Sequence, residues 1–249
     1  ELVSIPVDAD GMKVDALRPP LRALYLTPHH QFPTMVTLSP ARRLRLLDFA
    51  ARHRVAIIED DYDHEYHYAG RPVLPLASAD TAGVVVYIGT LSKVLAPGLR
   101  LGFVVAAPPV IDHLLSHRIA LDRQGDLAME CAVADLIEDG TFARHLRRAR
   151  RLYQSRRDHL AALLHRNFGD TLRFTLPTGG LALWAHAPGV DVDAWQARGY
   201  AEGVALRSGT TYCLDNEASD HLRLGFGRLN EPELTEAVAR MQRAFPGRN

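Results

Sequence analysis

Apolar residues in this chain fall into short runs separated by polar turns, and their spacing switches between the period of a strand and that of a helix. Val3 to Val7 and Leu24 to Leu26 are strand-like runs separated by the turn cluster Asp8-Ala9-Asp10-Gly11. Ser39-Pro40, followed by Leu44, Leu47, Ala50 and Ala51, supplies an N-cap, a first-turn proline and an apolar face at helical spacing. Val55 to Ile58 predicts a buried strand, Val84 to Ile88 the next strand and Leu101 to Ala106 a further one. Helices are expected around Val110 to Ile119 and Leu127 to Ile137, with Gly140 as a stop. Strand, helix, strand in this order predicts a parallel sheet with helical crossovers, in which the carboxyl ends of the strands face a binding crevice. Phe142 to Leu164 predicts one long helix with Leu146, Ala149, Leu152, Leu160 and Leu163 among many arginines. After Gly169-Asp170 the pattern becomes strand (Leu172 to Leu176), turn (Pro177-Thr178-Gly179-Gly180), strand (Leu181 to Ala185) and helix (Val192 to Ala201). His221 to Phe226 is an alternating strand, and Asn230 with Glu233 forms a capping-box pair for a last helix.

Composition narrows the class. At 249 residues and 47% hydrophobic content the chain can bury a sizeable core, as one large domain or two smaller ones. Basic and acidic residues balance at 29 each, so net charge gives no reason to expect this portion to grip nucleic acid. The arginines of the long helix therefore read as a solvated face. Two cysteines, Cys131 and Cys213, are too few for a disulfide framework and match no metal spacing, which points to a reducing cytoplasm. No apolar run approaches the ~18 residues of a membrane helix. The start Glu1-Leu2-Val3-Ser4 reads like the middle of a domain, so a fragment is expected. His64 and His67 flanking Glu65, and His29-His30, invite a metal reading, but zinc needs three or four ligands and no second spaced set accompanies them. They read as polar loop residues, and no metal ligand is assigned.

Candidate chemistry lies in Gly89-Thr90-Leu91-Ser92-Lys93-Val94-Leu95-Ala96-Pro97-Gly98-Leu99-Arg100-Leu101-Gly102-Phe103, a small-residue turn holding one lysine and, seven positions on, an arginine. A lysine desolvated beside a second cation loses proton affinity, and its free amine can attack an aldehyde. The hydroxyls of Thr90 and Ser92 and the fork of Arg100 suit a phosphate ester, so together these groups suggest pyridoxal 5'-phosphate (PLP). The alternative is a surface lysine in a Gly/Pro loop. In Ile57-Ile58-Glu59-Asp60-Asp61-Tyr62-Asp63 an apolar run ends in carboxylates and a phenol. An ionised Asp keeps a pyridine nitrogen protonated and a Tyr hydroxyl can bond the ring's phenolic oxygen, although acidic strand ends can also be solvated turns.

Both stretches resemble fold-type I PLP enzymes of the class I/II aminotransferase kind, and in particular the aminotransferase-like domain of MocR/GabR-type transcriptional regulators. Thr27-Pro28-His29-His30-Gln31-Phe32-Pro33-Thr34, Glu59-Asp60-Asp61-Tyr62-Asp63, and Arg144-His145-Leu146-Arg147-Arg148 leading to Tyr153 and Arg156-Arg157 carry the regulator-like wording. The resemblance runs over essentially the whole chain. It implies an α/β fold: the C-terminal part of a PLP-binding large domain, mainly a parallel sheet with helices, over residues 1–141, then a linking helix and a small α+β domain over 142–249. It implies that Lys93 forms the internal aldimine, that Asp60 supports the pyridinium, that Tyr62 addresses the phenolic oxygen, and that Arg100, Thr90 and Ser92 take the phosphate. It also places at Arg223 the arginine that clamps an amino acid's carboxylate; from the residues alone, a strand-edge ion pair serves equally well. A homodimer and an amine or amino-acid effector are implied too.

The chain departs from the family pattern in two places. Phe32 stands where related aminotransferases have an asparagine that bonds the phenolic oxygen, and Met35 stands where a small residue is usual. The family's glycine/serine-rich phosphate loop, its ring-stacking aromatic residue and the regulators' winged helix-turn-helix belong upstream of this segment, so DNA contact is expected only through a domain outside this chain. Poor stability and weak PLP binding are expected of the 249 residues alone. Three readings follow: the effector domain of a PLP-dependent regulator, favoured here; a free-standing aminotransferase; and a degenerate interaction module, against which Lys93, Asp60 and Arg100 argue.

Overall fold

The expected strands and crossovers build a four-stranded sheet. The computed structural model describes every residue except Pro72, Asp215, Asn216, Arg248 and Asn249. The chain begins with a two-stranded hairpin, β1 (Val7–Asp8) and β2 (Gly11–Met12), and continues through β3 (Ala23–Leu26), α1 (Pro40–His53), β4 (Ala56–Asp61), β5 (Val85–Thr90) and β6 (Gly102–Val105). Sheet order is β3-β4-β5-β6; the first three strands are parallel and β6 returns antiparallel. Three helices follow: α2 (Pro108–Leu121), α3 (Leu127–Glu138) and α4 (Thr141–Phe168). Then come β7 (Ala182–His186), α5 (Val192–Ala201), β8 (Arg207–Ser208), β9 (His221–Gly225) and α6 (Glu231–Arg243). Two compact units result. The first comprises Glu1–Phe32, Val36–Glu65 and Gly70–Ala149, the second Pro33–Met35, Tyr66–Ala69 and Arg150–Asn249, and α4 runs from one into the other. Among the described residues no helix is long and apolar enough to cross a membrane.

In the first unit α1 starts at Pro40 as expected, although the Ser39 hydroxyl makes no capping bond. Its Leu46 and Ala50 pack on Ile57 of β4, all fully buried. Strand alternation sends Ile57, Glu59 and Asp61 to that buried face and leaves Ile58 and Asp60 half-buried on the other. Two carboxylates therefore enter the interior, where an unpaired charge would cost several kcal/mol. Each is met. Glu59 accepts the Leu76 and Ala77 N–H groups at 2.8 and 3.0 Å, and burial still pushes its carboxyl up. Asp61 lies 3.0 Å from His29 Nδ1 and accepts the Tyr87 hydroxyl at 3.0 Å. Burial opposes ionisation of Asp61, but His29 outweighs it and holds the carboxyl below its usual range. Burial likewise opposes charge on His29, and Asp61 raises that imidazole above its ordinary value.

The second unit carries a three-stranded antiparallel sheet of order β7-β9-β8. Leu183, Ala185, Leu222 and Leu224 face a core that includes Trp195 of α5 and Val238 of α6. Trp195 Nε1 donates to the Met241 carbonyl at 2.9 Å, which satisfies the one polar atom of the largest buried side chain. The Asn230/Glu233 capping box forms, with bonds of 2.9 and 2.8 Å. Two expectations are corrected, and one strand was not anticipated. Leu172 to Leu176 forms no strand, because only Arg173 bridges, exchanging two 2.8 Å bonds with His186 before Pro177 interrupts the run. Of Val3 to Val7 only Val7 enters a strand, the run lying mostly exposed. The polar pair Arg207–Ser208 forms β8, which apolar periodicity does not reveal.

The His29–Asp61 pair sets a pH window. His29, raised from 6.5, contributes stability that is complete below 6.5 and is lost as pH climbs through its folded value. Asp61, lowered from 3.8, contributes stability present above 3.8 and lost as pH falls through its folded value. The thermal midpoint of the wild type should therefore exceed that of His29→Asn most between 3.8 and 6.5, and the gap should narrow as pH rises further. A gap that does not narrow as pH rises above 6.5 would mean the pair carries no ionic stabilisation. A second prediction concerns β5 and β6, which approach through glycines. A Cβ added at Gly102 would sit 2.8 Å from the Gly89 carbonyl oxygen, a backbone atom that cannot swing away. Gly102→Ala should cost about 1–3 kcal/mol in denaturant unfolding, as overpacking does.

Candidate functional site

Parallel pairing aligns the carboxyl ends of β4 and β5, with Asp60 opposite Ile88 and Asp61 opposite Gly89. Asp60 and Tyr62 leave the end of one strand and Thr90, Ser92 and Lys93 the end of the next, so the topology brings these residues to one edge. The chain turns back at once. Leu91 N–H donates to Leu101 O at 3.0 Å and Thr90 pairs with Gly102, which closes residues 91–101 into a loop that returns Arg100 to the same edge. Gly89 is needed here because Phe103 lies directly across, its ring 2.4 Å from where a Cβ would stand.

Within the loop the Thr90 hydroxyl donates to Leu101 O at 3.4 Å and accepts the Ser92 N–H at 3.2 Å. Ser92 and Val94 are buried and Lys93 between them is exposed, so the turn presents the lysine while its neighbours anchor it. His145 of α4 bonds the Val94 carbonyl at 2.7 Å and Leu95 N–H bonds Leu91 O at 2.9 Å, fixing the turn from both sides. The turn does not bury Lys93, so the desolvation expected of it is not supplied by this loop alone. Arg100 is exposed, sits in the left-handed region at φ 52°, and its guanidinium has no ion-pair partner among the described residues.

The two ring-directed candidates are held by their own partners. Asp60 accepts the Tyr25 hydroxyl from β3, and burial, then Asp60, push that phenol up to about 12. Tyr62 donates to the His30 carbonyl at 3.0 Å, and the Phe32 ring meets it edge-on at 6.4 Å. His30 in turn is fixed by Asp63, Nδ1 to Oδ1 at 2.6 Å, both buried. The loop between β3 and α1 is closed by Phe32 N–H on Thr27 Oγ1 at 2.7 Å and Gln31 N–H on Val36 O at 2.8 Å. It passes through Met35 at φ 64°, a conformation that favours glycine, so the position of the unusual methionine is indeed a left-handed one. Arg43 braces the loop from α1, donating to Leu38 O at 3.0 Å, Leu74 O at 2.6 Å and Pro28 O at 3.3 Å.

Arg223 belongs to the second unit. It lies on β9 between register partners Trp184 of β7 and Arg207 of β8, on the sheet face away from the core. Sequence reasoning missed Tyr25, Arg43, Asp63 and the His29–Asp61 pair. The signal was available for one of them: period-2 alternation through Ile57-Ile58-Glu59-Asp60-Asp61 puts Glu59 and Asp61 on the face opposite Asp60. His29 and His30, read as loop residues, each hold a buried carboxylate.

The model of the family Aminotransferase class I and II matches residues 26–241. The chain is 32% identical over 252 residues to aromatic-amino-acid aminotransferase 1 of Thermococcus litoralis, covering 97% of this chain and 60% of the relative. It is 34% identical over 248 residues to the probable rhizopine catabolism regulatory protein MocR of Rhizobium meliloti, covering 98% of this chain and 50% of the relative. Among solved structures, the kynurenine aminotransferase of Pyrococcus horikoshii, determined in complex with PMP, superposes with a TM-score of 0.89 at 28% identity over 97% of this chain and 63% of its own. The chain thus spans between half and less than two thirds of these relatives' lengths. The family match and the superposition agree, and the chain belongs to the class I and II aminotransferase family, with the fold-type I architecture and the pyridoxal phosphate cofactor of that family.

Proposed function

We propose that this chain is the PLP-binding, aminotransferase-like effector portion of a MocR/GabR-type transcriptional regulator, acting in the cytoplasm as a homodimer that senses PLP or an amine. The donor set fits the cofactor. An exposed guanidinium without an ion-pair partner, two hydroxyls and a lysine presented by an anchored turn meet the needs of a phosphorylated aldehyde. Lys93 holds the cofactor covalently through its Nζ, Arg100 with Thr90 and Ser92 takes the phosphate, Asp60 holds a proton at the pyridine nitrogen, and Tyr62 orients the phenolic oxygen. When bound, PLP supplies an electron sink for bonds at an amine's α-carbon. Arg223 takes the carboxylate of an amino-acid effector. Its register partner on β8 is a second arginine, Arg207.

The observation that carries the regulator reading is Phe32. An aromatic edge faces Tyr62 where a transaminase would place an amide, which leaves the ring with fewer polar handles and suits binding over rapid turnover. The free-standing aminotransferase remains the second reading, favoured by the Thermococcus litoralis relative.

Sequencing the coding region upstream of Glu1 tests the choice. The expected frame runs through a glycine-rich loop into a basic helix-turn-helix; a frame that starts just before the glycine-rich loop would assign an aminotransferase. The protein of that whole frame should give no sustained turnover with an amino acid and a 2-oxo acid, and multiple turnovers would overturn the regulator reading. Borohydride reduction with PLP should label the peptide containing Lys93 and leave Lys93→Ala unlabelled. Arg100→Ala should weaken PLP binding roughly 10- to 100-fold, the worth of a lost charge-assisted bond of about 1.5–3 kcal/mol.

A further inference from the structure

A second cluster of ligand-type side chains lies on the outer face of the second unit's sheet and includes no residue assigned to the cofactor. His186 and His221 are direct register partners on β7 and β9, and Asp220 immediately precedes His221. The Asp220 carboxylate reaches both rings: His186 Nε2 is 2.6 Å from Oδ2 and His221 Nδ1 is 2.9 Å from Oδ1. The imidazoles stack at 4.7 Å and 25°, and His221 also stacks on Trp184 at 5.1 Å and 13°. One ligand atom from each of the three residues lies within 4.8 Å of the other two.

We propose that His186, Asp220 and His221 form a binding site for a divalent transition-metal ion of the zinc class. Two imidazole nitrogens and a carboxylate oxygen are the donor set that zinc and its neighbours take, and three protein ligands leave a fourth position for water. Bonds of about 2.0–2.2 Å place tetrahedral ligands roughly 3.4 Å apart. The present contacts of 2.6 and 2.9 Å need to open by less than about 1 Å, and all three side chains are half-exposed and have room to do so. The backbone beneath them is fixed. His186 exchanges two 2.8 Å bonds with Arg173, and Ala187 N–H holds the Asp220 carbonyl at 2.7 Å. The Trp184 ring sets the plane of His221, as supporting groups around metal ligands do. No spaced motif marks the site, since His186 and Asp220 lie 34 residues apart and meet only through strand pairing.

Zinc chloride alone, titrated in competition with a chromophoric chelator, tests the site in the wild type, His186→Asn and His221→Asn. His113→Asn serves as a control for the exposed His113/His117 pair of α2, whose Nε2 atoms are 3.1 Å apart. One strong site per chain is expected in the wild type, weakened at least about 100-fold in either site variant, beyond the 10- to 100-fold that changes around the ligands cost. His113→Asn should bind as the wild type does. Zinc should raise the thermal midpoint of the wild type and of His113→Asn but not of the site variants, and cobalt in its place should give visible absorption only where both histidines remain. A wild type that binds no zinc, a His186→Asn or His221→Asn chain that binds it as tightly as the wild type, or a loss confined to His113→Asn would each overturn the proposal and leave a hydrogen-bonded triad. Asp220→Asn, which keeps the side-chain shape, replaces any histidine variant that fails to fold and should also weaken zinc.

Discussion

The organising constraint of the first unit is the obligation to satisfy carboxylates inside the sheet. Glu59, Asp61 and Asp63 are buried, and each is met from a different segment: the 3₁₀ turn after β4, His29 with Tyr87, and His30. Because each partner is specific, the register of β4 is fixed more tightly than apolar packing alone would fix it. A slip of one residue would carry Asp60 into the His29 pocket and strip Glu59 of its two N–H donors, leaving uncompensated charge in the interior. The same constraint places Asp60 on the opposite face, beside Tyr25, where it is half-buried and able to meet a ligand. Burying two acids thus decides which of the adjacent acids faces the candidate site.

That logic explains what was legible in the sequence. Elements whose signal is local were readable: the Asn230/Glu233 cap, the apolar face of α1, the alternating strand β9 and the small-residue turn around Lys93. What could not be read are pairings made at a distance. Arg43 braces carbonyls far along the chain, Tyr25 meets Asp60 across two strands, and Asp63 meets His30 across 33 residues. Composition marks these residues only as polar, whereas the fold gives each a specific partner and buries Arg43, His30 and Asp63. The Leu172 to Leu176 run failed for the opposite reason: its apolar pattern is real, but one bridge to His186 is all the pairing it finds before Pro177.

The loop of residues 27–37 shows where this chain departs from its family in physical terms. Met35 occupies a left-handed position and is also 5% exposed, so it accepts backbone strain of roughly 1–3 kcal/mol while contributing burial of similar size. Glycine there would relieve the strain and forfeit the packing. Phe32, 44% exposed and edge-on to Tyr62, presents an apolar ring beside that phenol. Both changes are tolerated because the loop is held by others: Thr27 and Arg43 supply its polar bonds independently of what stands at positions 32 and 35. The shape of the loop is thereby set by Thr27 and Arg43 and not by the side chains at positions 32 and 35.

A comparable division runs through the second unit. Its sheet gives one face to the core, where Leu183, Ala185, Leu222 and Leu224 are buried, and keeps the other for Trp184, His186, His221 and Arg223. Nothing on the outer face fills the core, so polar substitutions there remove chemistry without opening a cavity, whereas Leu222→Ala would cost about 2–5 kcal/mol by cavity formation. Both pairs meet on β9, His221 with His186 of β7 and, two residues further on, Arg223 with Arg207 of β8. One pair sets two guanidinium groups side by side; the other, with Asp220, sets two imidazoles around a carboxylate. Strand register keeps the two pairs apart on a single face, because side chains two residues along a strand are separated by about 7 Å.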